Sequence, residues 1–420
     1  MNKEYHFPNN FFWGTSTSSY QVEGHNHNTN WWEWEQNGHV LASVANAADW
    51  WGGRWQTDMD LAQQNGQNAH RLSIEWSRIQ PSEDSWDEDA LEQYSIMLQG
   101  MLDRKIMPFV TLHHFTDPLW ITKKGGWENP ETPKYFAKYV EKVVEKLSKY
   151  TKYWFTINEP NVYTYCGYVD GTFPPGKHSL SSAAYVFKNM LLGHALAYHA
   201  IHKIQENAFV GIALNYRRIE PARPNSFLDK KIVRMQSQLF NESFTDAIQT
   251  GILSLLWKKF SVPEAKNTQD FLGINYYTTD LLRFSLNPLA LLGKRFFPKN
   301  AKLSENKFLA CVPEGLFKAL CWAKKYNVPL FVSENGVEDS KDVLRPEYLQ
   351  EHIKQVYKAI EAGCPVLGYF HWSLVDNFEW ERAWSQRFGL YELDLQTQER
   401  HPRPSVAIYE KICKENGASL

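Results

Sequence analysis

The chain has 420 residues, of which 43% are hydrophobic, and its 45 basic and 47 acidic residues leave a net charge of −2. Because the basic and acidic charges nearly balance, the chain has no overall field that would attract nucleic acid or an anionic membrane. The sequence therefore predicts neither of these as a partner. The N-terminal residues contain no apolar signal core, and no apolar run approaches the roughly 20 residues that span a bilayer, so we expect a cytoplasmic protein without a transmembrane segment.

Short, apolar, β-prone segments recur eight times along the chain. They are residues 11–17, 69–74, 108–112, 153–157, 210–214, 271–274, 330–332 and 366–370. Most are separated by longer segments with helical periodicity, including residues 134–150, 183–205 and 347–361. Strands that alternate with helices predict a parallel sheet, and eight of them predict a closed barrel. We therefore expect one α/β domain over residues 1–420, a single (β/α)8 TIM barrel.

Polar side chains stand at the C-terminal ends of the predicted strands, where barrels of this type carry their chemistry. They are Arg71, His113 and His114, Asn158 and Glu159, Asn215, Asn275 to Tyr277, Glu334 and Asn335, and His371 and Trp372. A single residue of this kind is usually the start of a solvated loop, but seven such ends together predict a polar pocket.

Neither a metal nor another cofactor is expected in that pocket. His113 and His114 are adjacent, so on a strand they would point to opposite faces and make a poor ligand pair. The five cysteines are scattered and odd in number, which predicts neither a disulfide framework nor a zinc site.

Two glutamates at these ends, Glu159 and Glu334, fit the cleavage of a glycosidic bond. That reaction needs one carboxyl group to protonate the leaving oxygen and a second to attack the anomeric carbon or to activate water. A separation of about 5–5.5 Å between the two would give retention of configuration, and roughly 6.5–9.5 Å would give inversion. The alternative, that each glutamate caps a helix or pairs with a surface lysine, is weakened because both directly follow strands and are followed by Pro160 and Gly336.

The two carboxyl groups must also differ in pKa. Arg71 could hold Glu334 ionised, and Tyr277 could donate a hydrogen bond to it, whereas Glu159 needs a setting with less charge stabilisation. A purely structural ion pair is the alternative for Arg71.

Motifs at these residues resemble glycoside hydrolase family 1, the β-glucosidase family, over nearly the whole chain. In order they are FFWG at 11–14, YQVEG at 20–24, RLSIEWSRI at 71–79, TLHHF at 111–115, TINEP at 156–160, GINYY at 273–277, SENG at 333–336, HWSLVDNFEW at 371–380 and RFGLY at 387–391. Any one motif would be weak, but all nine in order at barrel spacing are specific.

The resemblance implies a role for each matching residue. Glu159 is implied as acid/base, Glu334 as nucleophile, and Asn158 as the partner of the sugar 2-hydroxyl. Arg71, Asn275 and Tyr277 are implied as supports of the nucleophile. The remaining sugar-binding residues implied are Gln21, His114, Trp372, Glu379, Trp380 and Phe388, with Trp372 as the platform beneath the ring.

The implied activity is hydrolysis of terminal, non-reducing β-D-glucosyl residues by double displacement, with β-galactosyl and β-fucosyl residues also accommodated. Small β-glycosides or oligosaccharides are the expected partners. Family members that act on phosphorylated sugars lack the pair equivalent to Glu379 and Trp380, so that specialisation is not expected. Two alternatives stay open, a mainly transglycosylating enzyme and a catalytically silent sugar-binding barrel, and so does a homo-oligomeric state.

Residues 281–299, after the sixth predicted strand, do not match a family motif. They combine leucines and phenylalanines with Arg283, Lys294, Arg295 and Lys299. One interpretation is a loop with its own small apolar cluster. The other is an apolar, basic rim that receives a hydrophobic aglycone.

Overall fold

The computed structural model describes residues 4–287 and 291–419, with backbone alone for Glu4, Ala418 and Ser419. Eight parallel strands close into a barrel in chain order, each pairing with the next and the last with the first. They are β1 Phe12–Ser16, β2 Ala69–Ser73, β3 Met107–Thr111, β4 Tyr153–Asn158, β5 Phe209–Asn215, β6 Phe271–Asn275, β7 Leu330–Asn335 and β8 Val366–His371. All eight predicted strands and the (β/α)8 TIM barrel are confirmed.

Helices connect these strands. They are α1 Ser19–Val22, α2 Asn30–Gln36, α3 Trp55–Gln64, α4 Trp76–Ile79, α5 Glu88–Asp103, α6 Leu119–Lys123, α7 Thr132–Leu147, α8 Pro160–Tyr165, α9 Leu180–Ile204, α10 Phe227–Ser237, α11 Ser243–Thr250, α12 Pro313–Ala323, α13 Arg345–Glu361 and α14 Ser405–Glu415. Short 3₁₀ or π segments lie at Gly126–Glu128, Cys166–Asp170, Gln238–Glu242, Pro263–Ala265, Lys324–Tyr326 and Trp380–Ser385. None of the described helices is long and apolar enough to cross a membrane.

The three helices predicted from the sequence, α7, α9 and α13, begin at residues that favour a helix start. Ser179 accepts a hydrogen bond from the backbone of Ser182, so α9 starts at Leu180, three residues before its apolar pattern predicts. Proline in the first turn of α7 and of α13 supplies a helical φ at no cost in hydrogen bonds. The predicted helices are therefore confirmed, with starts displaced by two or three residues.

Further strands lie outside the barrel. Arg218–Pro221, Thr279–Phe284 and Gly293–Phe296 form a three-stranded sheet, and Ile252–Ser254 pairs with Lys259–Ser261. Lys302–Leu303 pairs with Ala310–Cys311, Tyr391–Leu393 with Arg400–Pro402, and Glu4–His6 with Gly417–Ser419. The three-stranded sheet was not predicted, and it contains residues 281–284 and 293–296 of the unmatched segment 281–299. Residues 288–290 of that segment lie outside the described part of the chain.

A plug of aromatic side chains fills the barrel below the strand ends. Phe109, Phe155, Phe271, Phe331 and Phe370 are fully buried there in contact with one another. Because this interior is packed, the open space of the barrel begins at the C-terminal ends of the strands. A Cβ atom on Gly336 would lie 1.9 Å from the carbonyl oxygen of Trp372, so glycine at this position allows β7 and β8 to approach each other just after Glu334.

Candidate active site

The strand ends surround a cavity of about 520 Å³. Nine of the twelve predicted site residues line it, namely His114, Asn158, Glu159, Tyr277, Glu334, Trp372, Glu379, Trp380 and Phe388. Arg71 and Asn275 lie immediately behind the lining and contact it through hydrogen bonds. Gln21 is fully buried, and its amide already bonds Ser18 and the carbonyl oxygen of Phe378. Its contacts therefore position the loop that carries Glu379.

Glu334, in β7, has a cation beside it. Arg71 Nη1 lies 2.5 Å from Glu334 Oε1, and the Tyr277 hydroxyl donates to Oε2 at 2.6 Å. Burial raises the pKa of Glu334, while the Arg71 charge and the Tyr277 hydrogen bond act in the opposite direction and favour its ionised form. Arg71 is itself fully buried and also donates to Thr111 and Asn158, so its guanidinium is held in place.

Among residues 4–287 and 291–419, the hydrogen-bond partners of the Glu159 carboxyl group are amides. Asn215 and Asn275 donate to its Oε1 at 2.9 and 2.8 Å. Burial, followed by the charge of Glu334, raises the pKa of Glu159 to about 8. At that value Glu159 is largely protonated at neutral pH.

The backbone at Glu159 is left-handed, with φ 44° and ψ 58°, and Pro160 begins α8 directly after it. This conformation turns the chain sharply out of β4, so that Asn158 and Glu159 both face the cavity. A non-glycine residue with positive φ is a strained arrangement that surrounding structure has to hold.

Asn275 stands next to both carboxyl groups. Its Nδ2 donates to Glu159, and its side chain also lowers the pKa of Glu334 by hydrogen bonding, while its Oδ1 accepts from Ser333. Two carboxyl groups that share one amide neighbour are close together, which favours the short separation of a retaining enzyme over the longer one that leaves room for water.

Aromatic and polar groups form a further part of the cavity wall. The Trp372 indole N–H donates to Glu379 Oε1 at 2.9 Å, and burial raises the pKa of Glu379 to about 8. The His114 ring lies between those of Trp372 and Trp380, with centroids 6.0 Å from each. Phe388 packs with Trp372 and Leu309 in an apolar cluster at the edge of the cavity.

His114 is a neutral donor. Asn158 Oδ1 accepts from Arg71, so its Nδ2 faces His114 Nε2 at 3.1 Å and donates to it. The other ring nitrogen, Nδ1, then carries the hydrogen, and it has no partner in residues 4–287 or 291–419. Burial, reinforced by the Arg71 charge, lowers the pKa of His114 well below its usual range. The ring can therefore donate to a sugar hydroxyl.

His113 faces away from His114, although not for the reason predicted. β3 ends at Thr111, so both histidines lie in the following loop, and His113 Nε2 bonds Asp117 3.0 Å away. Within the described residues, no group of three or more His, Cys, Asp or Glu side chains could hold a metal ion.

Asn215 and Gln386 are polar residues of the cavity lining that were given no role from the sequence. Asn215 was recognised as a strand end, and its position one strand from Glu159 could have suggested the hydrogen bond it makes. Gln386 lines the cavity with a buried Nε2 that bonds nothing in the described parts of the chain. A lone glutamine two residues before Phe388 carries no signal in the sequence.

Comparison with known proteins agrees with this geometry. The family model for glycosyl hydrolase family 1 matches residues 3–418. The chain is 32% identical to a beta-galactosidase of Pyrococcus woesei and 33% identical to beta-glucosidase A of Thermotoga maritima, each alignment covering 98% of both chains. The solved structure of a beta-glycosidase from Pyrococcus horikoshii is 39% identical, with a TM-score of 0.93 over 99% of this chain and 96% of that one. The chain therefore belongs to glycosyl hydrolase family 1 and is a retaining β-glycosidase.

Proposed function

We propose that residues 1–420 form one catalytic domain that hydrolyses terminal, non-reducing β-D-glucosyl residues, with Glu334 as nucleophile and Glu159 as acid/base. The observation that carries this assignment is the asymmetry of the two carboxyl groups. Glu334 is paired with Arg71, whereas Glu159 is buried among amides with its pKa raised to about 8. Family relatives include proteins named for glucose and for galactose, which supports β-galactosyl residues as further substrates, and β-fucosyl residues stay a prediction.

In the first step a carboxylate oxygen of Glu334 bonds to the anomeric carbon as the bond to the aglycone oxygen breaks. The proton of Glu159 passes to that leaving oxygen. Formation of the ester removes the charge of Glu334, which had raised the pKa of Glu159. The pKa of Glu159 therefore falls, so Glu159 stays ionised after it has given up its proton. It then accepts a proton from water as the water oxygen bonds to the anomeric carbon and displaces Glu334 from the sugar.

The remaining residues hold the sugar. Trp372 supplies a ring face, and Glu379, Trp380 and His114 offer hydrogen-bonding groups to the hydroxyls. Asn158 lies between Arg71 and His114, where it can reach the 2-hydroxyl. Each sugar hydroxyl left without a partner in such a site costs about 1–3 kcal/mol, which allows epimers to be distinguished.

The cavity continues past Glu159 into an apolar arm, where we propose a hydrophobic aglycone binds. Val169, Leu180, Phe240, Leu255 and Trp257 line this arm, and Leu180 and Trp257 are 43% and 46% exposed.

The segment 281–299 forms part of a small apolar cluster and also reaches the cavity. Leu282 packs with Ile219 and Ile232 in a small cluster, and Leu282 and Arg295 also line the cavity. This placement supports the aglycone rim.

The test is nitrophenol release from a panel of nitrophenyl β-glycosides by the wild type and by Glu334→Ala. We expect cleavage of the β-glucoside and a loss of several orders of magnitude in the variant. A folded wild type that is inert on every β-glycoside would instead favour a silent sugar-binding barrel. A high ratio of transfer to hydrolysis products in the presence of added alcohol would favour a transglycosylating enzyme. The cytoplasmic location and the homo-oligomeric state stay predictions.

A further inference from the structure

One polar side chain of the cavity has no part in the double displacement described above. Gln386 lines the cavity and is only 3% exposed, and its Nε2 bonds nothing within residues 4–287 and 291–419. A buried amide left in this state carries the full cost of its desolvation, so most buried amides in proteins have a partner. Because Gln386 stands at the wall of a substrate cavity, the missing partner points to a group on the substrate.

The side chains around the cavity follow one another in the order of the carbon atoms of a pyranose ring. In the proposed mechanism Glu334 attacks C1 and Asn158 contacts the 2-hydroxyl. The His114 ring comes next, because its Nε2 lies 3.1 Å from Asn158 Nδ2. Trp380 follows, with its ring centroid 6.0 Å from that of His114. These four side chains therefore face C1, C2, C3 and C4 in turn.

The remaining arc of the wall leads from C4 back to C1. Tyr277, which donates to Glu334, has its ring centroid 6.2 Å from that of Phe388. Phe388 ends the loop 379–388, which begins with Glu379, and both residues line the cavity. In a pyranose the ring atoms between C4 and C1 are C5 and the ring oxygen, and the C6 hydroxymethyl group projects from C5. The wall formed by this loop is therefore the part of the cavity that the 6-hydroxyl meets.

Gln386 lies in this loop, and hydrogen bonds hold the backbone on both sides of it. Asn306 Nδ2 donates to the carbonyl oxygen of Ser385 at 2.9 Å. On the other side, the guanidinium of Arg345 donates to the carbonyl oxygen of Arg387 at 2.9 Å. A side chain on a backbone held in this way is positioned before the substrate arrives, as selective hydrogen bonding requires.

We propose that Gln386 binds the 6-hydroxyl of the non-reducing sugar and makes the enzyme select sugars that carry this hydroxyl. Either end of the amide can make the contact, because a hydroxyl both donates and accepts hydrogen bonds. A sugar without the 6-hydroxyl leaves the amide buried and unpaired, and a site built for a hydroxyl discriminates on that ground. The assignment rests on the proposed function, since the order of contacts places C1 of a glycosyl unit at Glu334.

The consequence for substrates is a ranking by the group at C5. A β-glucoside and a β-galactoside carry the 6-hydroxyl, a β-fucoside is a 6-deoxy sugar, and a β-xyloside lacks C6 altogether. Gln386 therefore favours the first two sugars over the last two.

The experiment compares two substrates that differ only at this group, nitrophenyl β-glucoside and nitrophenyl 6-deoxy-β-glucoside. The wild type should have the higher kcat/KM on the glucoside. Gln386→Met removes the amide and keeps the length of the side chain. It should lower the ratio of the two kcat/KM values about tenfold, because glucoside cleavage slows while cleavage of the 6-deoxyglucoside does not.

The matched control is Gln269→Met. Gln269 is also a buried glutamine, 8% exposed, and both atoms of its amide bond nothing in the described parts of the chain. It is not among the residues that line the cavity in those parts, so its variant should keep the wild-type ratio. A folded Gln386→Met protein that keeps that ratio, or that loses activity equally on both substrates, would overturn the proposal, since a purely structural role does not depend on the 6-hydroxyl.

A binding measurement on the wild type needs neither a variant nor catalysis. Glucose and 6-deoxyglucose are titrated into the protein and followed by tryptophan fluorescence, because Trp372 and Trp380 line the cavity. The 6-deoxy sugar should bind about tenfold or more weakly, and equal affinities would refute the role of Gln386. A wild type that prefers glucose to 6-deoxyglucose but cleaves no β-glycoside would refute the proposed function and support the 6-hydroxyl contact.

Discussion

Replacing Arg71 tests the pairing of Glu334 in the most direct way. Arg71→Met keeps much of the side-chain volume and removes the buried charge 2.5 Å from Glu334. Breaking a buried ion pair by removing one partner costs about 3–5 kcal/mol. At about 1.36 kcal/mol per pKa unit, the pKa of Glu334 should rise by about 2 to 3.5 units.

The assay is the pH dependence of kcat/KM on a nitrophenyl β-glucoside. Glu334 must be ionised to attack, so activity is lost as the pH falls through its pKa, and a raised pKa moves the acidic limb to higher pH. Arg71 also lowers the pKa of Glu159, so the basic limb should move up too, by less because the two groups are not in hydrogen-bond contact. Because the two glutamates titrate as a coupled pair, neither limb of the pH profile reports one residue alone. The quantity to compare between wild type and variant is how much further the acidic limb moves than the basic limb.

Two variants make the result decisive. Tyr277→Phe removes a single hydrogen bond to the carboxylate, about 1.5–3 kcal/mol, and should move the acidic limb by about one to two units. Arg71→Lys keeps the charge and should move the limb less than Arg71→Met does. If a folded Arg71→Met protein keeps the wild-type acidic limb, the proposed role of Arg71 is wrong.

Four further predictions concern the acid/base, the sugar contacts and the aglycone. Glu159→Gln should lower kcat/KM about 10²–10⁴-fold for phenyl β-glucoside, which needs a general acid, and far less for the dinitrophenyl glucoside; equal losses on both would contradict the role. In the wild type, the rate of phenyl glucoside hydrolysis should fall as the pH rises through about 8, because Glu159 is protonated only below its raised pKa. A rate that stays constant up to pH 10 would contradict the acid role of Glu159. Glu379→Gln should lower kcat/KM by about tenfold or more on every sugar it contacts, since a buried sugar hydroxyl left without its partner costs about 1–3 kcal/mol; an unchanged kcat/KM on all sugars would contradict the contact. Trp257→Ser should slow cleavage of octyl β-glucoside relative to cellobiose, and an unchanged ratio would remove the hydrophobic aglycone from the proposal.

The barrel could be predicted because each strand is an apolar run that the closed sheet buries on both faces. The C-terminal strand ends were less accurate, because β1, β2 and β3 stop one residue before the predicted ends whereas the other five strands extend beyond them. β4 continues to Asn158 and β7 to Asn335, since polar residues still form ladder hydrogen bonds after the apolar run has ended. Hydrophobicity marks where a strand is buried, not where its pairing stops.

The site was predictable to the extent that it consists of strand ends. For Gln21, the motif position does not reveal that its amide is already bonded to Ser18 and to the carbonyl of Phe378, and its role in sugar binding stays a prediction. The sheet that contains Gly293–Phe296 could not be foreseen, since its strands are short, basic and partly exposed and lack the alternation that indicates a half-buried strand.

The left-handed backbone at Glu159 has a consequence for the evolution of this enzyme. An L-residue in that conformation costs about 1–2 kcal/mol, which glycine avoids and asparagine reduces. Glu159→Gly and Glu159→Asn should therefore relieve backbone strain and also remove a buried carboxyl group, so both are expected to raise the melting temperature while they abolish acid catalysis. Mutational drift toward greater stability would thus lead away from activity at this position, and only selection for turnover would retain the glutamate.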